Sequence, residues 1–224
     1  MATSSRTIFI SRDLIPSSPL YSLPGVDRVI GESLLSFSPV SFDSIPESDW
    51  IFFYSQQGVH HLVSQQPNAL TDRRLAAFGP KTGAALRGKG LTVSFTGDGT
   101  AEHTAKSFSL VGRNERVLFA RARHSRMSLQ KLLAHQMEID DLIVYDNEPK
   151  TSIDLPHCDM LIFTSPLNAK TYFTHYQQHA NQGIFAIGKT TQKALEDLGL
   201  SNVQIPEEPT EDALANLLIK YFDN

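Results

Sequence analysis

The residues Gly188–Thr191 read Gly-Lys-Thr-Thr, and Gly183 stands five positions before Gly188. This spacing matches the glycine-rich loop that wraps nucleotide phosphates. The four residues that precede Gly188 form an apolar run, however, which is typical of a buried strand and not of a flexible loop. The segment therefore predicts a strand, a turn at Gly188, and a helix that Thr191 opens and Gly199 closes. Nucleotide binding at Gly188–Thr191 is kept as a weaker alternative.

Other residue pairs offer metal or cofactor chemistry less well. His60-His61 and His157-Cys158 contain metal-ligand types, but neither is joined by a second pair at zinc spacing. No Gly-x-Gly-x-x-Gly follows an apolar run, and Gly97-Asp98-Gly99 is typical of a turn. We therefore expect no metal, no nucleotide and no other cofactor.

The chain repeats itself. "DWIFFYSQQG" from Asp49 resembles "DMLIFTSPLN" from Asp159, and "TIFISR" from Thr7 resembles "RVLFAR" from Arg116. "AFGPKTGAALRGKGL" and "AIGKTTQKALEDLGL" share seven of fifteen positions. Matches that recur in one register indicate a diverged duplication of a unit of about half the chain.

Each repeat alternates short apolar runs with helical segments. The runs "TIFI", "WIFF", "LTVSF", "VLFA", "LIVY", "LIFT" and "IFAI" have the length of buried strands. Such alternation favours parallel sheets with right-handed crossovers. The predicted fold class is α/β, with two similar domains, each a parallel sheet flanked by helices.

Four small hydroxyl residues follow strands or open helices at matching places in the two repeats: Ser55, Thr82, Ser165 and Thr191. Ligands of open α/β sheets bind outside the carboxyl ends of the strands, where helix N-termini attract anions. We expect these four residues to bind substrate. Helix capping is the alternative role for each of them.

Composition limits the partners. The 224 residues carry a net charge of -4 and no apolar run long enough to cross a bilayer, so we expect neither nucleic acid nor a membrane as a partner. The single cysteine excludes an internal disulfide framework and favours a cytoplasmic protein. A basic segment from Arg113 to Lys131 could face an anionic small molecule, or could be a solvated helix face.

The ordered motifs resemble those of the uroporphyrinogen-III synthase family over nearly the whole chain. "DMLIFTSPLNAKTYF", "FAIGKTTQKALEDLGL" and "PEEPTEDALANLL" are similar to the C-terminal half of that family. "DWIFFYSQQGVHHL", "AAFGPKTGAALRGKGL", "VLFARA" and "DDLIVYDNEP" resemble its earlier parts. Tyr54, before Ser55, and Gln56-Gln57-Gly58, after it, depart from the pattern of the family.

The resemblance implies an architecture and an activity. Residues 1–37 plus 148–224 would form a discontinuous first domain, with 38–147 as an inserted second domain and two extended crossings near "SLLSFSPV" and "LIVYDNEP". The substrate would be the linear tetrapyrrole hydroxymethylbilane, bound between the domains and cyclised with loss of water and inversion of ring D to give uroporphyrinogen III. No cofactor is implied, the protein would be a monomer, and the upstream deaminase is a further expected partner.

The resemblance also implies roles for single residues. Tyr145 in "LIVYDNEP" matches the tyrosine proposed to protonate the departing hydroxyl, although an aromatic residue packed at a strand end is an equal alternative. Ser55, Thr82, Ser165 and Thr191 match substrate-binding positions. Arg12 and Arg121 follow equivalent strands and could face substrate carboxylates.

A different class of function stays open from the sequence. A non-catalytic two-domain module could use the same residues to sense an anionic metabolite or to regulate a partner. Both hydroxyl sets and the tyrosine are present, which favours the enzyme.

Overall fold

The protein was analysed as a computed structural model, which describes residues 5–68, 70 and 72–223. The strands, in chain order, are β1 (Arg6–Ile10), β2 (Val26–Gly31), β3 (Leu35–Pro39), β4 (Trp50–Phe53), β5 (Arg74–Ala77), β6 (Phe95–Thr96), β7 (Arg116–Ala122), β8 (Glu138–Pro149), β9 (Met160–Phe163) and β10 (Gly183–Ala186).

The helices alternate with these strands. They are α1 (Gln56–Gln65), α2 (Pro80–Gly88), α3 (Ala101–Phe108), α4 (Ser128–Leu133), α5 (Pro166–His175), α6 (Lys189–Glu196) and α7 (Glu211–Phe222), with a short 3-10 helix at Pro19–Ser22. None of the helices in the described ranges is long and apolar enough to cross a membrane.

The chain divides into two compact units, each with its own sheet. One unit contains the described residues up to Ser36 and those from Glu148 onward, and the other contains Phe37–Asn147. The sheet orders are β10-β9-β1-β2 and β3-β8-β7-β4-β5-β6. The pairs of β1 with β9 and of β4 with β7 are parallel, which confirms both the α/β class and the expected pairing of the first strand with the C-terminal half.

The duplication is visible in the order of the elements. β9, α5, β10 and α6 repeat the succession β4, α1, β5 and α2. After the second strand of each set, the next backbone N–H reaches back to the first strand: Phe78 donates to the Phe53 carbonyl and Ile187 to the Phe163 carbonyl, both at 2.9 Å. The two halves therefore share one supersecondary plan.

The ends of α2 and α6 also match. Gly90 and Gly199 have φ of +75° and +86°, a conformation that glycine adopts without steric cost. The N–H that follows each glycine donates to the helix at 3.2 Å, from Leu91 to the Leu86 carbonyl and from Leu200 to the Leu195 carbonyl. Gly199 is thus a helix terminator, as expected.

The helix starts differ from the sequence expectation. α6 begins at Lys189 with Gly188 as its N-cap, and Thr191 is the third helical residue. The prediction that Thr191 opens the helix was wrong, because the extended backbone of Gly188 already supplies the cap position and its carbonyl accepts from Thr191 N–H at 3.0 Å.

The run "LTVSF" was also overestimated as a strand. Only Phe95–Thr96 pairs with β5, at Ala76 and Ala77. Leu91 is used to close the end of α2, so the chain reaches the sheet edge only near Ser94, whose N–H donates to the Leu75 carbonyl at 2.9 Å.

The two predicted crossings are strands. β3 and β8 are neighbours in the larger sheet and carry the chain across the boundaries at 36/37 and 147/148. Val40 N–H donates to the Val144 carbonyl and Lys150 N–H to the Leu34 carbonyl, so the two strands run in opposite directions.

Apolar side chains cover both faces of each sheet. In the unit that contains Phe37–Asn147, Phe53 and Leu118 face one core with α1 and α2, whereas Phe52 and Phe119 face another with α3 and α4. The β4 residues Trp50–Phe53 are all buried. Burial on both faces explains why these strands read as continuous apolar runs.

The turn before α3 is organised by Asp98. Its carboxylate accepts hydrogen bonds from Thr100 N–H at 2.8 Å and from the Thr104 hydroxyl at 3.1 Å, and His103 lies 3.1 Å away. These contacts, led by the Thr100 N–H bond, lower the pKa of Asp98 to about 2. The carboxylate therefore anchors the start of α3, where a negative charge also suits the helix dipole.

A substitution at Gly97 should be much more damaging than one at Gly88. A Cβ at Gly97 would lie 2.6 Å from the Phe78 carbonyl oxygen and would also overlap Thr104, so the backbone must shift. We expect Gly97→Ala to lower the free energy of unfolding by about 1–3 kcal/mol, the usual cost of overpacking. A Cβ at Gly88, at the end of α2, would meet nothing within 4 Å, and Gly88→Ala should be neutral or stabilising. Urea unfolding of both variants checks this, and equal destabilisation would contradict it.

The contribution of Asp98 to stability should depend on pH. Because folding lowers its pKa from 3.8 to about 2, its stabilising effect is complete above the unfolded value and is lost as the pH falls through about 2. Asp98→Ala should therefore melt at a lower temperature than the parent at pH 7, and the difference should shrink between pH 4 and pH 2. Asp98→Asn keeps an acceptor without the charge and should fall between the two. A difference in Tm that is constant over this range would count against the assignment.

Candidate active site

Two of the predicted site residues are in contact within the unit that contains Phe37–Asn147. Ser55 follows β4 and is the N-cap of α1, and Tyr145 lies on β8. Their hydroxyl oxygens are 3.0 Å apart. Ser55 Oγ also accepts a hydrogen bond from Gly58 N–H at 3.1 Å, so Ser55 performs the capping role and contacts the tyrosine at the same time.

Tyr145 is enclosed by its neighbours. Only 8% of its surface is accessible, and its ring centroid is 6.1 Å from that of Phe37. Burial raises the pKa of the Tyr145 phenol above its ordinary value, and the bond with Ser55 lowers it in part. The phenol therefore stays protonated at neutral pH and is able to donate a hydrogen bond or a proton.

His61 also contacts this tyrosine, which the sequence did not indicate. The His61 and Tyr145 rings stack with centroids 5.3 Å apart and planes 12° from parallel. His61 is 7% exposed, and its Nε2 is buried without a hydrogen-bond partner among the described residues. Burial, followed by the neighbouring His60, lowers the pKa of His61, so the ring is neutral at pH 7.

Ser165 is the equivalent of Ser55 in the other unit, but its surroundings differ. It caps α5 and accepts from Asn168 N–H at 3.2 Å and from Asn168 Nδ2 at 3.0 Å. The Asn168 Oδ1 atom in turn accepts from Leu34 N–H at 2.8 Å. At the matching position of the other unit, Gly58 has no side chain that could form a hydrogen bond with the Ser55 hydroxyl.

Thr82 and Thr191 are buried helix residues. Thr82 is 6% exposed in α2 and Thr191 is 3% exposed in α6. Both stand in the first turn of their helix, with Gly79 and Gly188 as the N-caps. Their predicted contact with substrate stays a prediction, and the burial favours a role in packing the turn.

Arg12 and Arg121 are both engaged in ion pairs. Arg12 lies 2.8 Å from Glu211, and Arg121 lies 2.9 Å from Asp141. Arg121 also donates to the Ala122 carbonyl at 3.0 Å. A substrate carboxylate would have to share or displace these acids, and the carboxylate-binding role of both arginines stays a prediction.

Three of the six cationic residues of the basic segment pair with acids of β8. Arg116 pairs with Glu138 at 3.0 Å and Arg123 pairs with Asp146 at 2.7 Å. Within the part of the chain that the structure describes, no ion pair is seen for Arg126, which is exposed on the loop after β7. That loop is anchored beside the site, because Arg123 N–H donates to the Tyr145 carbonyl at 3.0 Å.

Tyr54, which departs from the family pattern, connects β4 to α4. Its hydroxyl accepts from Leu129 N–H at 2.9 Å and donates to Gln130 Oε1 at 2.5 Å. Gln130 Nε2 then donates to Asp141 at 2.9 Å, the acid that pairs with Arg121. The sequence shows only that Tyr54 departs from the family pattern. Its hydrogen-bond partners lie far away in the chain, so no local sequence pattern predicts these contacts.

The single cysteine, Cys158, is buried and remains a protonated thiol at neutral pH. Cys158 is 2% exposed, and burial raises the pKa of its thiol to about 11. His157 stacks on His179 with ring centroids 5.2 Å apart. In the described ranges, no three His, Cys, Asp or Glu side chains converge in a geometry that could hold a metal ion.

The arrangement at Tyr145 suits proton donation to a leaving group. The phenol carries the proton, and the Ser55 hydroxyl can donate to the phenolic oxygen as negative charge develops there.

Comparison with solved structures gives likenesses over almost the full chain. Uroporphyrinogen-III synthetase from Helicobacter pylori 26695 is 21% identical, with a TM-score of 0.76 over 96% of this chain and 99% of that chain. A mutant uroporphyrinogen III synthase from the extremely thermophilic bacterium Thermus thermophilus is 16% identical, with a TM-score of 0.58 over 98% of this chain and 100% of that chain. At these identities the likeness bears on the fold alone. Comparison with curated proteins gives no match.

A protein-family comparison reaches further. The family described as uroporphyrinogen-III synthase HemD matches residues 32–216, which is most of the chain and includes Ser55 and Tyr145. Because the match extends over both units and over the order of the motifs, the chain belongs to the uroporphyrinogen-III synthase family.

Proposed function

We propose that this protein is a cyclising hydro-lyase that converts hydroxymethylbilane to uroporphyrinogen III, with inversion of ring D. The observation that carries the proposal is the contact between the Ser55 and Tyr145 hydroxyls in a chain of this family. The family match over residues 32–216 favours the enzyme over the non-catalytic alternative.

Departure of water is the step in which Tyr145 acts. The bond between the hydroxymethyl carbon and its oxygen breaks as the pyrrole nitrogen supplies electrons, which leaves an electrophilic azafulvenium cation that still carries the N–H proton. Tyr145 gives its proton to the departing oxygen, so water is released, and Ser55 donates to the phenolate oxygen. The terminal ring then attacks this cation through its substituted carbon and forms a spiro intermediate. The original bond from that carbon to its methylene bridge breaks, which leaves an azafulvenium on the neighbouring ring. The unsubstituted carbon of the terminal ring attacks that cation and loses its proton, which restores the proton of the Tyr145 phenol, and the ring is joined in inverted orientation.

Conformational restraint is the larger part of the proposed catalysis. Hydroxymethylbilane also closes unaided, but into the isomer without inversion, so the enzyme must hold one folded conformer of the substrate. The carboxyl edges of the two sheets provide helix N-termini at α1, α2, α5 and α6 for substrate carboxylates. The proposed substrate-binding residues at those edges are Ser55, Ser165, Arg12 and Arg121. The buried side chains of Thr82 and Thr191 stabilise the first turns of α2 and α6.

The proposal extends to the setting of the enzyme. We infer a cytoplasmic monomer whose substrate comes from the upstream deaminase. The net charge of -4 is consistent with a protein that does not depend on anionic surfaces. Light scattering of the pure protein, alone and mixed with a deaminase, tests the oligomeric state and the partner.

The activity is tested by supplying freshly generated hydroxymethylbilane to the purified protein. After oxidation, the porphyrin isomers are separated chromatographically. We expect isomer III to dominate, whereas the protein-free control should give isomer I. A product no richer in isomer III than the control would exclude the enzymatic function.

Substitutions at Tyr145 and Ser55 should lower activity by different amounts. Tyr145→Phe removes the proton donor and should lower kcat by about a hundredfold, the usual contribution of general acid catalysis. Ser55→Ala removes the contact with Tyr145, which should cost about three- to tenfold in kcat, and also the cap bond from Gly58 N–H, which should lower Tm. Tyr21→Phe, at an exposed tyrosine, is the matched control and should match the parent. If Tyr145→Phe keeps normal isomer III formation and Tm, the tyrosine has a packing role only.

A further inference from the structure

The helix α1 contacts Tyr145 at two points. At its N-cap, Ser55 meets the phenolic hydroxyl at 3.0 Å. Further along the helix, His61 lies face to face with the tyrosine ring, at 5.3 Å and 12°. A single rigid element therefore restrains both the hydroxyl and the plane of the ring that carries it.

The imidazole at position 61 is not explained by hydrogen bonding at Nε2. That atom is buried and lacks a partner among the described residues, an arrangement that is unfavourable relative to a satisfied group. An aliphatic residue would fill the same helix face without this penalty. What the histidine adds is a flat ring in parallel contact with Tyr145.

The charge state fits a passive ring. His61 is only 7% exposed, and among the described residues the titratable groups with ring contacts to it are His60 on the same helix and Tyr145 on β8. Burial lowers its pKa, so no positive charge lies beside the phenol at pH 7. A neutral ring leaves the proton on Tyr145, as the proposed role of this tyrosine requires.

We propose that His61 is a positioning residue for Tyr145, acting through ring stacking to hold the phenolic hydroxyl against Ser55. The inference deepens the proposed synthase function and rests on it, since it assigns the histidine to the proton donor of that reaction. His61 itself does not touch the substrate in this proposal. The Phe37 ring, tilted by 54° at 6.1 Å, is a second wall for the same tyrosine.

The test replaces the histidine with and without a flat ring. His61→Phe keeps an aromatic face and has no buried nitrogen, whereas His61→Leu fills the space without a ring. Isomer III formation gives kcat and KM for each variant, and Tm confirms folding. We expect His61→Leu to lower kcat about tenfold with KM within about twofold, because a catalytic group displaced by about 1 Å loses up to a hundredfold. His61→Phe should restore kcat to within about twofold of the parent.

A spectroscopic measurement separates this inference from the proposed function. With tyrosine labelled by carbon-13 at the phenolic carbon, the Tyr145 signal is identified by its loss in Tyr145→Phe, and its titration is followed above pH 9. In the parent and in His61→Phe, the pKa of Tyr145 should stay above its ordinary value, and in His61→Leu it should fall toward that value as the ring loosens. This readout needs no substrate, so it decides the inference even if no isomer III is formed.

The outcomes are distinct. Unchanged Tyr145 titration in His61→Leu would overturn the proposal, whether or not isomer III is formed, and so would an unchanged kcat in that variant. An equal loss of kcat in His61→Phe and His61→Leu would also overturn it, because the imidazole nitrogen and not the ring would then be required. If His61→Leu does not fold, His61→Met provides a flexible apolar side chain of similar size for the same comparison.

Discussion

The structure depends on one constraint, the burial of parallel strands on both faces. A strand such as Trp50–Phe53 exposes no face to water, so helices must cover both sides and every connection must return the chain to the same edge. The carboxyl ends of the strands then come together with the N-termini of the following helices. The serine that caps a helix at this edge is placed there by the topology, before any catalytic requirement acts on it.

Much of this organisation could be predicted from the sequence. The duplication predicted the shared plan, and apolar run length identified seven of the ten described strands, because buried strands are continuous in composition. The runs did not indicate β2 or β5, and β3 was expected only as an extended crossing. Ser55 was identified from its place after an apolar run. The extent of β6 and the first residue of α6 were not predicted correctly. The first residue of α6 depends on which residue takes the N-cap position, and a glycine such as Gly188 can adopt many backbone conformations. The extent of β6 depends on how the preceding helix, α2, ends.

The contacts between distant side chains could not be predicted in this way. Neither the stacking of His61 on Tyr145 nor the path from Tyr54 through Gln130 to Asp141 has a local pattern. Both need the register of β8 against β7 and β4, which follows from the folded sheet. The arginines illustrate the same limit, since their charge is visible in the sequence and their partners on β8 are not.

The residue three positions after each capping serine distinguishes the two copies of the duplicated unit. The Asn168 side chain forms hydrogen bonds with both Ser165 and Leu34, so the Ser165 hydroxyl has a structural role in its own unit. Gly58 makes no such demand, and a Cβ there would already lie 3.6 Å from Ser55 Oγ. The two matching serines therefore have different partners: the Ser165 hydroxyl bonds to a side chain of its own helix, and the Ser55 hydroxyl contacts a tyrosine on β8, two strands away from β4 in the sheet. A difference of one side chain, Asn168 against Gly58, is thus enough to make the two copies of a repeated unit unequal at their matching serines.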